Sequence, residues 1–357
     1  MMTVSVSALE SSDVSAECAV LISQQTGEVI FQKNAYEHHS MASTTKIMTS
    51  LLAAQSGKLH DEITVSKEMI QVEGTSMGLL PGDSVSLYEL IYGMLLPSGN
   101  DAANVTAYYL GGNVENFAKK MNAKAKEIGM DNTNFVTPSG LDDKNHYSTA
   151  YDMALLGRYA VNDPVFRSVC SSKKVTLSYG NPPYKRTLYN HNRLLESYKY
   201  ALGIKTGFTK KSGRCLVSYA EKDGTGLVAV TLNAPNDWND HKLLLDYGFS
   251  RLKRYVFKPA IPQTIDVVGG NVEKCKLCCM QFEYDSSEQR NPVQKLVVDK
   301  FAYAPIKKGD RLGEVKFYLD GKNIGSADIV AAEDIDVPEQ KQEEKSFFQR
   351  IKERFLK

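Results

Sequence analysis

The order of hydrophobic periods constrains this chain most. Near the amino terminus, CAVLISQQTGEVIF (Cys18 to Phe31) reads as a hairpin of two apolar strands around a polar turn ending at Gly27. Strand-like patterns return after residue 172, in KVTLSYG, GRCLVSYAEKDG and TGLVAVTLNA, with glycine turns between the last two. Between them lie runs at helical spacing, at 43–56, 86–96, 100–110, 113–128 and 149–161, and residues 239–247 return to a helix. Strands, a block of helices, then strands call for an antiparallel sheet built from both flanks of the block, with segregated helices, rather than a βαβ series. The fold class is α+β.

Near Lys258 the pattern changes again. IDVVGG, LVVDKFAYAP and LGEVKFYLDGKNIGSADIV form short strands with Gly and Asp turns and almost no helix signal. The expected division is therefore 1–16 as a leader remnant or flexible start, 17–256 as the mixed domain, 257–332 as a small all-β domain, and 333–357 as a charged linker and amphipathic tail. A length of 357 residues accommodates two domains, and 42% hydrophobic with 24% charged residues excludes a mainly disordered chain. The net charge of +1 gives no electrostatic reason for a nucleic-acid partner.

Cys275-x-x-Cys278 stands without a second Cys or His pair, so no metal is expected, and reduced cysteines filling sheet positions are the reading. The start, MMTVSVSALESSDVSAE, has no basic region and no apolar run long enough for a signal peptide or a span. Its Ser5-Val6-Ser7-Ala8 resembles the distal part of a secretory signal, which is compatible with a trimmed precursor. At the other end, Phe347, Phe348, Ile351, Phe355 and Leu356 form one apolar face of a helix flanked by Lys and Arg, suited to an anionic membrane surface and too short to span one.

Three short motifs fall in the mixed domain. Ser43-Thr44-Thr45-Lys46 stands at a helix start, Ser98-Gly99-Asn100 between two helical runs, and Lys205-Thr206-Gly207 just before a strand. One helical turn puts residues i and i+3 on one face, so Lys46 can reach the Ser43 hydroxyl and take its proton if burial and positive charge keep the amine neutral. The four-residue pattern alone does not separate this from a capping serine followed by an exposed lysine. Ser-x-x-Lys also occurs at Ser171 and Ser250, where no partner motif accompanies it. The other two motifs occur once each, and the three together in this order are specific.

On these motifs the chain resembles the serine penicillin-binding proteins, and among them the low-molecular-mass D-alanyl-D-alanine carboxypeptidases of peptidase family S11. The likeness extends through VEGTSMGLLPGDSVSLYELIYGMLLPSGNDAANVTAYYLGG, FVTPSGLDDKNHYSTAYDMALLGRYA, HNRLL, IKTGFTKKSGRCLV and LLLDYGF, and into the small β domain. It implies a serine β-lactamase/penicillin-binding-protein-like catalytic domain followed by a small β domain. It also implies removal of the terminal D-alanine from peptidoglycan stem peptides outside the cytoplasmic membrane, β-lactams as covalent inhibitors, and no cofactor. By the same resemblance, Ser43 is the nucleophile, Lys46 its base, and Ser98 the relay of a proton to the leaving amine. Asn100 orients Lys46 and holds a substrate amide. Lys205 and Thr206 meet the terminal carboxylate, Gly207 clears the approach, and the backbone N–H groups of Ser43 and Phe208 form the oxyanion hole. The chain departs from relatives in carrying Phe208 where many have His, and in having no arginine in NAPNDWNDHKLLLDYGF. Two rivals remain: a β-lactamase, disfavoured because FVTPSGLDDKNHY offers Asp142 and Asp143 but no Glu, and a non-catalytic envelope or spore structural protein.

Overall fold

The apolar stretches CAVLIS and VIFQK fold back as the antiparallel hairpin of β1 (Cys18–Ser23) and β2 (Val29–Lys33). The structure, a computed structural model, describes residues 8–338. The expected amphipathic tail and the first seven residues lie outside the described residues. The described residues form two compact units: one runs to Tyr255 and includes Asp285–Gln289, and the other comprises Val256–Tyr284 and the described residues from Arg290 onward.

In the first unit the helices are α1 (Lys46–Ala54), α2 (Leu87–Leu95), α3 (Asn100–Gly111), α4 (Val114–Ile128), α5 (Ala150–Ala160), α6 (Pro164–Cys170), α7 (Leu194–Ser197) and α8 (Asp237–Arg251). Its further strands are β3 (Glu62–Thr64), β4 (Ser84–Ser86), β5 (Lys174–Tyr179), β6 (Tyr184–Tyr189), β7 (Ala201–Thr209), β8 (Gly213–Lys222) and β9 (Thr225–Leu232). Five of the strands make one antiparallel sheet in the order β2-β1-β9-β8-β7, closed from both flanks of the helical block as the periods require. Both faces of its centre are buried. Val20, Ile22, Val228 and Val230 pack with the helical block, while Leu21, Leu227 and Ala229 pack with Leu244 and Leu245 of α8.

Local signals explain most boundaries. Ser86 and Glu89 form a reciprocal capping box on α2, and Thr149 caps α5 through Asp152 N at 3.0 Å. The pattern reading lacks the short β3, β4 and α7, and it departs from the structure at three further elements. α6 is capped by Asp163, whose side chain accepts from Phe166 N at 2.9 Å, and seven residues are too few to show a helical period. β6 pairs with β5 as a largely exposed hairpin. The KTG triplet lies inside the nine-residue β7 rather than before a strand, because ALGIKTGFT has two glycines and a lysine where alternation would show.

The second unit is a six-stranded sheet in the order 293–298, 311–319, 322–331, 274–279, 264–268 and 301–303, with only the last pair parallel. Phe282 stacks on Phe317 at 4.0 Å in its core. All six cysteines are free thiols, and Cys275 is buried on the strand Lys274–Cys279 while Cys278 is exposed.

Candidate active site

Ser43 sits in a 3-10 turn, Ala42–Thr45, that runs directly into α1. It caps neither element; the cap position of the turn is Met41 and that of α1 is Thr45, and neither makes a side-chain cap bond. Ala42, just before the serine, has φ +47°, a strained left-handed conformation for a residue with a Cβ. A loop over 136–140 holds the turn in place. Thr49 Oγ1 donates to Pro138 O at 2.7 Å, and a Cβ on Gly140 would lie 1.8 Å from Ala42 O, so only glycine fits there. His146 Nδ1 accepts from Val136 N at 2.9 Å, so its proton sits on Nε2, which donates to Thr45 Oγ1 at 2.8 Å. Burial pushes this imidazole down to about 4, and it is a neutral brace at physiological pH.

Lys46 is fully buried. Its Nζ lies 2.7 Å from Asn100 Oδ1, 2.7 Å from Ser139 O and 2.9 Å from Ser43 Oγ. A neutral amine has two N–H donors and one lone pair. The amide and carbonyl oxygens take the two donors, which leaves the lone pair directed at the serine hydroxyl. Burial first, and then the nearby charge of Lys205, hold this amine well below the usual lysine range, against an opposing pull from Asp101. Base and nucleophile are thereby matched.

The Ser98-Gly99-Asn100 turn anchors the opposite wall. Ser98 has φ +67° and its carbonyl accepts from Thr75 Oγ1 at 2.5 Å. Asn100 donates from its backbone to Thr75 O at 2.7 Å and from Nδ2 to Glu73 O at 2.6 Å. Asp101 lies in the first turn of α3, whose cap position is Gly99. Its carboxylate accepts from Met77 N, Gly78 N and Leu79 N at 2.9–3.1 Å and from Ser76 Oγ at 2.5 Å, fixing the 73–79 loop beside the serine. No local pattern predicts this, since the donors lie more than twenty positions away.

Strand β7 is a sheet edge with an open side. Gly207 meets the nucleophile turn itself: a Cβ there would stand 3.0 Å from Ser43 N, 3.1 Å from Met41 O and 3.1 Å from Thr44 N. Backbone packed against backbone therefore requires a glycine here. A cavity of about 440 Å³ opens in front, lined by Ser43, Ser98, Asn100, Thr206, Gly207 and Phe208 among others. Phe208 is 66% exposed.

Lys205 lies apart from these. Only 1% exposed, it does not line the cavity; its Nζ donates to Thr206 O at 2.9 Å, and burial brings it down to about 7. It acts on Lys46 through charge. The cavity also takes in residues that sequence reasoning did not single out: His191, Arg193, Arg214, Asp237 and Trp238. Arg193 stands in the quoted HNRLL and Arg214 in GRCLV, but nothing local distinguishes them from surface arginines. The missing arginine in the α8 segment is thus accompanied by two arginines from elsewhere.

A serine paired with a buried lysine lone pair, beside an open strand edge, defines an acyl-transfer enzyme of the Ser–Lys class. Residues 3–236 match the family D-alanyl-D-alanine carboxypeptidase (peptidase S11), and residues 258–337 match the penicillin-binding protein 5 C-terminal domain. The chain belongs to the D-alanyl-D-alanine carboxypeptidase family. It is 34% identical to D-alanyl-D-alanine carboxypeptidase DacF of Bacillus subtilis, over 90% of this chain and 86% of that one. It is also 34% identical to D-alanyl-D-alanine carboxypeptidase DacC of Escherichia coli, over 96% and 88%. Among solved structures, penicillin binding protein 5 from Haemophilus influenzae superposes with a TM-score of 0.67 at 29% identity, over 93% of this chain and 99% of that one. The Streptomyces K15 DD-transpeptidase matches at 30% with a TM-score of 0.65, over 69% of this chain and all of that one.

Proposed function

We propose that the protein is a serine-type D-Ala-D-Ala carboxypeptidase, acting on peptidoglycan stem peptides through an acyl-enzyme and acylated by penicillins. The observation that carries this is the saturation of Lys46 Nζ by two acceptors with Ser43 Oγ on its third side. In the proposed sequence Ser43 Oγ attacks the carbonyl of the penultimate D-alanine and Lys46 accepts the hydroxyl proton. The backbone N–H groups of Ser43 and Phe208 receive the oxyanion. The C–N bond breaks, the terminal D-alanine leaves as an amine with a proton relayed through Ser98, and water then hydrolyses the ester with Lys46 as base. Burial keeps Lys46 neutral, the charge of Lys205 adds to it while that lysine is protonated, and Asn100 orients it. The substrate strand adds to the open edge of β7.

The test is release of free D-alanine from a pentapeptide ending in D-Ala-D-Ala, together with the lifetime of the penicillin adduct. Peptide turnover with a long-lived adduct supports the reading. Rapid penicillin turnover without peptide cleavage would favour a β-lactamase, and neither activity would favour a structural role. The structure bears on the first rival: Asp237 is the one acidic residue among those lining the cavity, and it is engaged by Arg214.

The place of action is proposed as outside the cytoplasmic membrane, with the segment 346–357 as a surface anchor. Sedimentation with anionic liposomes, comparing the full chain with one ending at Glu339, tests the anchor; equal retention in the supernatant would remove it.

A further inference from the structure

We infer that Arg214, clamped by Asp237, is the receptor for the free carboxylate at the end of the substrate; this rests on the carboxypeptidase reading above. Strand register places the residue. Phe208 pairs with Arg214 and Thr206 with Leu216 across β7 and β8, so Thr206, Phe208 and Arg214 project from one face of the sheet. Lys205 pairs with Val217 on the opposite face, where its amine is buried. Of Lys205 and Arg214, it is therefore Arg214 that lies on the Thr206 side of the edge strand, and it lines the same cavity as Ser43.

The clamp is built asymmetrically. Arg214 Nε and Nη2 both donate to Asp237 Oδ1, at 3.0 and 2.7 Å, and the guanidinium lies 5.6 Å from the Trp238 ring centroid. The Asp237 side chain is only 4% exposed whereas that of Arg214 is 43% exposed. Here the acid is sunk in the first turn of α8 and the arginine faces the cavity, with Nη1 taking no part in the pair. A guanidinium held on one edge keeps its other edge aligned for a carboxylate, with the Thr206 hydroxyl as a further donor. Arg193 lines the same cavity, but no comparable clamp fixes its head group among the described residues.

The experiment compares an acyl-D-alanyl-D-lactate with its D-lactamide counterpart, which differ only in the terminal charge, and reads the ratio of kcat/KM for the two. Wild type should prefer the acid. Arg214→Gln should lower that preference about 10- to 100-fold, the range for losing one charge-assisted contact, mostly through KM. Arg193→Gln should lower it less. A ratio unchanged in Arg214→Gln, or collapsing only in Arg193→Gln, would overturn the assignment. Wild type that cleaves neither compound and forms no penicillin adduct would instead refute the carboxypeptidase reading. Thermal unfolding of each variant is measured alongside. If Arg214→Gln is unfolded, Arg214→Lys is used, which keeps a charge but not the fork; a wild-type ratio there would equally overturn the assignment.

Discussion

Replacing Gly207 by Ala probes the contact between the edge strand and the nucleophile turn. The new Cβ would stand 3.0 Å from Ser43 N and 3.1 Å from both Met41 O and Thr44 N, so the backbone of the turn must retreat by a few tenths of an ångström. All three neighbours are main-chain atoms, and the loop behind the turn leaves no slack, since a Cβ at Gly140 would already overlap Ala42 O at 1.8 Å. Overpacking of this kind costs about 1–3 kcal/mol. For a unit of this size that is a fall in Tm of roughly 3–10 °C. A misplacement of about 1 Å can cost about a hundredfold in rate, so a shift of about 0.3–0.5 Å scales to roughly four- to tenfold slower acylation. The assay pairs thermal unfolding with stopped-flow acylation by a small β-lactam and with peptide turnover. All three should fall together. If Tm and β-lactam acylation stay at wild-type values while only peptide turnover drops, the glycine serves substrate passage and the reasoning from backbone contact is refuted.

Asn100→Asp would place a carboxylate 2.7 Å from Lys46 Nζ, stabilising the ammonium. The acid limb of the pH–acylation profile should move up by about 1–3 pH units, and an unmoved limb would remove Lys46 as the base. For Lys205 the sign follows from proton binding: the folded group titrates at about 7 and the free side chain at 10.5. Between those values the unfolded state holds more protons, so wild-type stability gains with rising pH, and that gain is lost in Lys205→Met. Chemical denaturation at pH 7 and pH 10 should show the wild type improving relative to the variant by a few kcal/mol; a constant difference would mean Lys205 is not desolvated.

How much of this was legible in the chain depends on whether the signal is local. The sheet closed from both flanks is written in CAVLIS, GRCLVSYAEK and TGLVAVTL, because strands buried on both faces are apolar throughout. Ser43, Lys46, Ser98, Asn100 and the KTG triplet are legible because three short motifs occur together in one order, and Lys46 does reach Ser43 one turn away. What could not be read are partners supplied by the tertiary fold. Ser139 O saturates the base from 93 positions away, and Asp101 holds a loop more than twenty residues upstream. Arg214 meets Asp237 only because β8 passes the start of α8. Strand β7 itself was blurred by its glycines, one of which, Gly207, lets it approach the nucleophile turn.

The central claim is that Ser43, activated by Lys46, is the acylated residue. Incubation with penicillin, proteolysis and peptide mass mapping should place one adduct on the peptide containing Ser43. Ser43→Ala, with unchanged thermal unfolding, should carry none and release no D-alanine from a D-Ala-D-Ala pentapeptide. An adduct on another serine, such as Ser98 or Ser171, or wild-type labelling of Ser43→Ala, would contradict the account.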